Sequence, residues 1–328
     1  MPAGALRPGG IVAVAVAVAV ARAGPGRDYP QRVPPRPDGP PPPPTVQRLR
    51  LRYAKRGRLR FSSHRDFQRA LERALRRCEV PMAYSAGFTP HPKISYAGAA
   101  PTGAASEAEY VEIGLVQPCD PEQVRAWLDA ALPTGLDIVD AVVSPGGALA
   151  DLLQASVWRI ELTGVTAAEL SEAVEGFLAL PQAPITKRTK SGPREVDARA
   201  AVLAAEVGEL ATGTGSAQAT PGADMVAKPV AVPDTASFSP ESTGGGERCA
   251  ILHLVVRHTT PSVRPDDIVT AMRSTVGLAP AAPPLVTRLA QGPLDERDCS
   301  VADPLRADHD AVVGLGRREL DSDAQSSG

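Results

Sequence analysis

Apolar and polar residues alternate over residues 46–54, VQRLRLRYA. Because strand side chains point alternately to opposite faces, this period of two predicts a β-strand with one apolar face. The apolar positions include Leu49, Leu51 and Tyr53. The opposite face consists of Arg48, Arg50 and Arg52. After a turn at Gly57, residues 58–61 (RLRF) repeat the alternation and predict a continued strand pattern.

The next segment has helical periodicity. Ser63, followed three residues later by Asp66, is similar to a capping box and predicts a helix start, and Pro81 predicts its end. Apolar residues recur every three or four positions and form one stripe: Phe67, Ala70, Leu71, Ala74, Leu75 and Cys78. Arginines recur at the same spacing on another face: Arg65, Arg69, Arg73 and Arg76.

The pattern up to residue 143 completes one structural unit. Residues 84–98 predict an ordered Gly- and Pro-rich loop that enters a short strand at 93–97, and 109–116 and 136–143 predict two more strands. Between them Pro121 opens a helix. Its predicted inward positions are Val124, Trp127, Leu128 and Leu132. The resulting order, strand, helix, strand, strand, helix, strand, is that of a ferredoxin-like βαββαβ unit.

A similar order recurs in the second half. Strands are predicted at 157–163, 250–258 and 285–290, and helices at 166–179 and from Pro265 onward. A hairpin over 184–202, turning at residues 191–193, adds one strand more than the unit needs. The sequence therefore predicts an α+β protein with two ferredoxin-like units in tandem.

Low-complexity segments set the domain boundaries. We predict domains at 46–150 and 151–295, with disordered segments at 1–45, 207–246 and 296–328. Within the first, an Ala-Val run at 11–21 followed by ARAG resembles a short signal peptide, yet it is too short to span a bilayer. A dispensable extension is the alternative. We expect a cytoplasmic protein with no membrane association.

Charge is distributed unevenly along the chain. The formal net charge is -2, but residues 48–77 hold twelve Arg or Lys and two acidic residues. Such a segment predicts a phosphate-binding face, and a ferredoxin-like sheet favours single-stranded RNA over duplex DNA. A solvated arginine face is the alternative. The nearby candidates for base stacking are few: Tyr53, Tyr84, Phe88 and Tyr96.

Fifteen residues are candidate RNA contacts. The strand and helix, adjacent in sequence, are expected to form one continuous surface with the loop that follows them. This set is Arg48, Arg50, Arg52, Lys55, Arg56, Arg58, Arg65, Arg69, Arg73, Arg76 and Lys93. The hairpin tip adds Lys187, Arg188, Lys190 and Arg194, which form either a second binding device or a solubilising loop.

The sequence offers little for catalysis. His64 and His91 are weak candidates for a general acid–base, and a metal site built from them and His253 lacks ligand spacing. The cysteines are far apart, which predicts isolated thiols and no local zinc or iron–sulfur site: Cys78, Cys119, Cys249 and Cys299. No common nucleotide-binding or hydrolase motif is present, so we expect no cofactor.

Three stretches resemble a bacterial family of unknown function that accompanies, or is fused to, cobalamin-binding radical SAM proteins. They are residues 57–77 (GRLRFSSHRDFQRALERALRR), 82–103 (MAYSAGFTPHPKISYAGAAPTG) and 187–199 (KRTKSGPREVDAR). The resemblance implies an accessory role beside a separate radical SAM enzyme, because this chain lacks a three-cysteine cluster of its own. The element order also resembles, more distantly, that of endoribonucleases that process CRISPR RNA.

Three functions follow from these observations. The first is a non-catalytic adaptor that binds tRNA or rRNA through the basic face and presents it to a radical SAM partner. The second is a metal-independent endoribonuclease that uses His64 or His91. The third is a protein–protein adaptor whose basic face meets an acidic partner.

Overall fold

A computed structural model describes residues 41–189, 192–209 and 248–309 of the chain. The first part contains a 3₁₀ helix, Gly57–Phe61, and the elements β1 Gln47–Lys55, α1 His64–Arg77, β2 Ile94–Ala97, β3 Ala105–Leu115, α2 Pro121–Ala131, β4 Ile138–Val143 and α3 Leu149–Leu152. The second part contains β5 Ala155–Thr163, α4 Ala167–Ala179, β6 Pro184–Thr189, β7 Gly192–Asp197, α5 Ala198–Ala201, β8 Val202–Glu209, β9 Cys249–Arg257, α6 Pro265–Val276, β10 Leu285–Gly292, β11 Leu294–Asp295 and β12 Ser300–Val301.

Eight of these strands form one sheet. Its order is β4-β1-β3-β10-β5-β9-β8, and β2 also pairs with β3. All the pairs are antiparallel except β3 with β10, which run parallel where Thr287 and Arg288 face Ala105 and Ser106. The protein is therefore α+β with a mostly antiparallel sheet, which confirms the predicted fold class.

The two halves of the sheet have matching neighbour orders. The first half is ordered β4-β1-β3-β2 and the second β10-β5-β9-β8, while β6 and β7 form a separate two-stranded sheet. The separation into two tandem units stays a prediction, because β3 and β10 join the strands of both halves into one sheet.

The alternation in β1 determines which face α1 covers. Leu49, Leu51 and Tyr53 pack with the apolar stripe of α1 and with Val124 and Leu128 of α2. Each fully buried leucine contributes about 1.5–3 kcal/mol to the free energy of unfolding. A second cluster, around Ile160, Leu170, Phe177, Leu252 and Met272, fills the other half beneath α4 and α6.

The other side of β1 is covered by the end of the described chain. A third cluster joins Tyr110 and Val142 to Leu149 and Leu153 around α3 and to Leu305, which is 0% exposed. Residues 303–309 therefore pack against the sheet, so the disordered tail predicted from residue 296 does not begin there. The reason is that Leu305 and Asp308 have buried partners far away in the sequence.

Three local predictions are also corrected. Residues 57–61 form a 3₁₀ helix, because Leu59 donates its backbone N–H to the Arg56 carbonyl and a four-residue alternation is too short to specify a strand. Trp127, predicted inward, is 42% exposed at the margin of the buried stripe of α2. The hairpin predicted over 184–202 ends at Asp197, and an unpredicted strand, β8, runs from Val202 to Glu209, past the predicted start of the insertion at 207. Residues 1–40 and 210–247 lie outside the described residues.

Candidate nucleic-acid interface

Arg50, a predicted RNA contact, is 1% exposed. Its Nε donates to Glu112 at 3.1 Å, its Nη1 to Asp308 at 3.0 Å, and its Nη2 to the carbonyls of Gly146 and Gly147 at 2.7 and 3.0 Å. Every guanidinium nitrogen thus has a protein partner. Burial is the largest influence on the Asp308 carboxyl and raises its pKa, and the nearby Arg50 opposes that change. Arg50 is a structural residue that no ligand can reach.

Lys55 is also removed from the predicted surface. It is 5% exposed, and its Nζ donates to the Pro101 carbonyl at 3.3 Å. Burial lowers the pKa of this amine, while the nearby Glu109 raises it. Lys55 therefore lies in the interior near the junction of the two halves.

The remaining arginines of this strand region have acidic partners. Arg48 pairs with Glu112 at 3.2 Å, and Arg52 pairs with Asp303 at 3.1 Å. Arg56 pairs with both Glu107 and Asp137. The positive charge counted along this strand is thus largely neutralised within the protein.

The predicted continuous surface of strand and helix is wrong. Since the leucines of β1 pack under α1, the alternation of the strand places Arg50 on the opposite face of the sheet from that helix. That face is covered by the 144–147 loop and by residues 303–309. The basic strand and the basic helix are neighbours in sequence and lie on opposite sides of the sheet.

Helix α1 retains an exposed set of arginines, which we call the α1 arginine row: Arg65, Arg69, Arg73, Arg76 and Arg77. Among the residues that the structure describes, none accepts a hydrogen bond or forms a salt bridge with these five side chains. At 1.5 Å per residue the row is about 18 Å long, with about 6 Å between Arg65, Arg69 and Arg73. Arg58 is also exposed, just before the helix.

The capping box and the buried face of α1 determine that this row faces solvent. Ser63 and Asp66 form a capping box, with Asp66 accepting from the backbone and the hydroxyl of Ser63 at 3.0 and 2.7 Å. These hydrogen bonds lower the pKa of Asp66. Five buried residues hold the helix on the sheet: Phe67, Ala70, Leu71, Ala74 and Leu75. The arginines are thereby left on the solvent side of a firmly packed helix.

Exposed aromatic side chains precede and follow α1 in the sequence, and another lies on α2. Phe61 ends the 3₁₀ helix just before it and is 59% exposed, and Phe88, in the loop that follows it, is 70% exposed. Tyr84 lines a cleft of about 200 Å³ with Arg76 and Pro92. Trp127 lies across another cleft from Arg77. Cations flanked by exposed rings are typical of surfaces that hold single-stranded nucleic acid.

The other predicted contacts are scattered. Lys93 is exposed and donates to Thr45 Oγ1 at 3.0 Å. In the hairpin, Lys187 is held by Asp267 and the Ser262 carbonyl, whereas Arg188 and Arg194 are exposed. Lys190 lies outside the described residues.

Neither candidate histidine has an acid–base partner among the described residues. The His64 ring packs edge-on against Tyr96 at 4.6 Å between centroids. His91 is exposed, and its backbone N–H donates to Ser85 Oγ at 3.0 Å. Burial lowers the pKa of His253. In the described part of the chain no three His, Cys, Asp or Glu residues lie together as a metal-binding group.

Some features of this surface were missed from the sequence. Arg77 was not among the predicted RNA contacts. It directly follows Arg76, and the repeated arginines of this helix could have indicated that it belongs to the same set. Trp127 was assigned to the core because its spacing from Val124 and Leu128 matches a buried stripe. No local pattern predicts the acidic partners of the β1 arginines, since Asp303 and Asp308 follow about 250 residues later.

A protein-family model described as "Uncharacterized protein conserved in bacteria (DUF2344)" matches residues 48–265. The chain belongs to this DUF2344 family. No curated protein matches the chain. The family match covers the α1 arginine row and the β6–β7 hairpin, and it ends at the first residue of α6, before β10 and before the segment that buries Arg50. No helix in the described ranges is both long and apolar enough to cross a membrane.

Proposed function

We propose that this DUF2344 protein is a cytoplasmic accessory protein that binds RNA through the α1 arginine row and presents it to a separate radical SAM enzyme. The observation that carries the RNA-binding step is the row itself: five exposed arginines on one helix, none of which forms a salt bridge within the described residues. Like charges four residues apart destabilise a helix, so binding of an anionic ligand would reduce the repulsion between these arginines.

Three further observations support a nucleic acid as that ligand. The length of the row, about 18 Å, suits a run of phosphates better than a single small anion. Exposed aromatic rings stand near both ends of α1. The other exposed basic candidates, Lys93, Arg188 and Arg194, supply additional contacts to a long ligand.

The architecture determines where the proposed RNA surface lies. We propose that each half of the sheet is a ferredoxin-like unit, because both have the same neighbour order and two long helices each. The proposed RNA surface lies on a helix, since the strand arginines are paired or buried. The radical SAM partner and the tRNA or rRNA substrate rest on the sequence resemblance.

The alternative functions receive less support. Ribonuclease activity has no favouring observation, because neither His64 nor His91 has an acid–base partner within the described residues. An adaptor for an acidic protein would also use the arginine row, but it does not account for the exposed rings around it.

The test is a fluorescence-polarisation titration of the full chain with labelled tRNA at moderate salt. The double variant Arg69→Ala/Arg73→Ala should bind about tenfold or more weakly, because two charge-assisted contacts are removed. The matched control Arg48→Ala/Arg56→Ala removes the same charge from arginines that already have acidic partners, and it should bind as the wild type does. Equal loss in both variants, or no binding by the wild type, would refute the proposal.

A further inference from the structure

A cleft lies between the end of α1 and the C-terminal half of α2. It is lined by Arg77, Cys78 and Glu79 on one side and by Ala126, Trp127, Ala130 and Ala131 on the other. The small alanine side chains leave space beside the indole ring. The cleft is shallow and open to solvent, with a volume of about 420 Å³.

Trp127 is unusual among the tryptophans of this chain. The sequence has two tryptophans, and the other, Trp158, is 6% exposed and lies under the Arg288 guanidinium at 5.3 Å. Trp127 is 42% exposed, although burying an aromatic ring is strongly favourable. An exposed indole beside an open cleft is therefore available for a ligand that has a flat apolar face.

The charge around the cleft indicates the chemistry of that ligand. Arg77 lines the cleft, and the rest of the α1 arginine row leads toward it along the same helix. Glu79 also lines it, so an anionic group would be placed on the Arg77 side. Burial raises the pKa of the Cys78 thiol, which keeps that wall neutral. The site thus offers a stacking surface on one side of the cleft and a cation on the other.

We propose that this cleft binds one unpaired RNA base, stacked on Trp127, with the adjoining phosphate held by Arg77. This inference rests on the proposed RNA-binding function and deepens it by specifying single-stranded RNA. In a duplex both faces of each base are already stacked, whereas an unpaired base can be splayed onto an aromatic ring. Tryptophan can stack on any base, so the cleft distinguishes single-stranded RNA from duplex RNA and does not distinguish one base sequence from another.

The first experiment uses Trp127 as its own reporter. Short oligouridine and an RNA duplex of equal charge are titrated into the full chain while tryptophan fluorescence is recorded. Stacking should quench the exposed indole with the single strand and leave the signal nearly unchanged with the duplex. The Trp127→Phe variant should lose the quenching, because the buried Trp158 is the one tryptophan left.

The second experiment separates this inference from the proposed function. Trp127→Ala should weaken oligouridine binding about 5- to 150-fold, the range expected for loss of one stacked base. It should leave the salt dependence of binding unchanged, because no charge is removed. Trp127→Phe, which keeps a ring, should retain most of the affinity and guards against loss of folding in the alanine variant.

The outcomes are distinct. Binding that depends on Arg69 and Arg73 but is indifferent to Trp127 would overturn the stacking site and leave the RNA surface intact. Equal affinity for duplex and single strand would also overturn it. No RNA binding at all would remove both proposals. Quenching by an acidic polypeptide and not by RNA would assign the cleft to a protein partner and contradict the inference.

Discussion

Arginines of the same basic segment have opposite roles in this protein. Arg50 is buried between Glu112 and Asp308, whereas Arg73 is exposed with no partner among the described residues. In the sequence both are arginines at regular spacing. Their difference comes from the acidic partners of Arg50, which lie 62 and 258 residues away.

The Arg50→Ala variant tests the structural role. Removing Arg50 leaves the buried Asp308 without its salt bridge and leaves Glu112 with the exposed Arg48 as its remaining cation, so the free energy of unfolding should fall by about 3–5 kcal/mol. Arg48→Ala, which removes an exposed partner of the same Glu112, should cost about 1 kcal/mol or less. Urea unfolding of both variants measures the contrast. Similar losses in the two would show that Arg50 is not the buried anchor.

His258 makes stability sensitive to pH. Its Nδ1–H donates to the Leu153 carbonyl at 2.7 Å, and its Nε2 accepts from the Ser156 hydroxyl at 2.7 Å. Burial is the largest cause of a pKa below the usual 6.5. The unfolded chain therefore takes up a proton that the folded chain does not, and stability present above pH 6.5 is lost as the pH falls through and below that value.

His258→Gln checks this dependence, since it keeps an acceptor for Ser156 without a titrating ring. The wild type should lose up to about 1.4 kcal/mol per pH unit from this group as the pH falls below about 6.5. The variant should have a shallower dependence, with a residual part from His253, whose pKa is also lowered by burial. Thermal unfolding across pH 5 to 8 measures both slopes, and parallel slopes would contradict the assignment.

At the scale of elements, local patterns predict most helices and strands. The alternation gives β1 within a residue, and the capping box gives the start of α1, which ends at Arg77, before the predicted stop at Pro81. The short elements α3, α5, β11 and β12 have no such pattern and were not predicted, and strand β8 was also missed. The position of β10 between β3 and β5 also has no local signal, because pairing across the sheet depends on contacts between distant segments.

The α1 arginine row carries a cost in stability that substitution should reveal. Arg73 lies four residues from both Arg69 and Arg77, and each like-charge pair destabilises the helix by about 0.2–0.5 kcal/mol. Arg73→Glu removes both repulsions and replaces them with two attractions of similar size, so the protein should become about 0.8–2 kcal/mol more stable while RNA binding weakens. Chemical unfolding and RNA titration of one sample measure both effects. A less stable variant would mean that Arg73 has a structural partner.

At the scale of the whole molecule, the end of the described chain completes the fold. Residues 303–309 place Leu305 in a buried cluster and supply carboxylates to Arg50 and Arg52. The sequence predicted disorder here because the segment is polar and short. Its partners lie on β1, far away in the sequence. Composition could not reveal that a single leucine and two aspartates dock on distant residues.

A truncation tests this contribution. A chain that ends at Ala302 loses Leu305 and the Asp308 partner of Arg50, so its melting temperature should fall by several degrees or more. A chain that ends at His309 keeps those contacts and should melt at a higher temperature than the chain that ends at Ala302. Differential scanning calorimetry compares the three. Equal melting temperatures for all of them would show that residues 303–309 do not stabilise the fold.

The central claim is that the α1 arginine row binds RNA phosphates, and the salt dependence of RNA affinity tests it most directly. For a single strand the slope of log K against log salt concentration is about -0.7 per neutralised phosphate, so five arginines predict about -3.5. Arg69→Ala/Arg73→Ala should reduce the magnitude of that slope by about 1.4, and Arg48→Ala/Arg56→Ala should leave it unchanged. An unchanged slope in the first variant, or an equal change in both, would contradict the account.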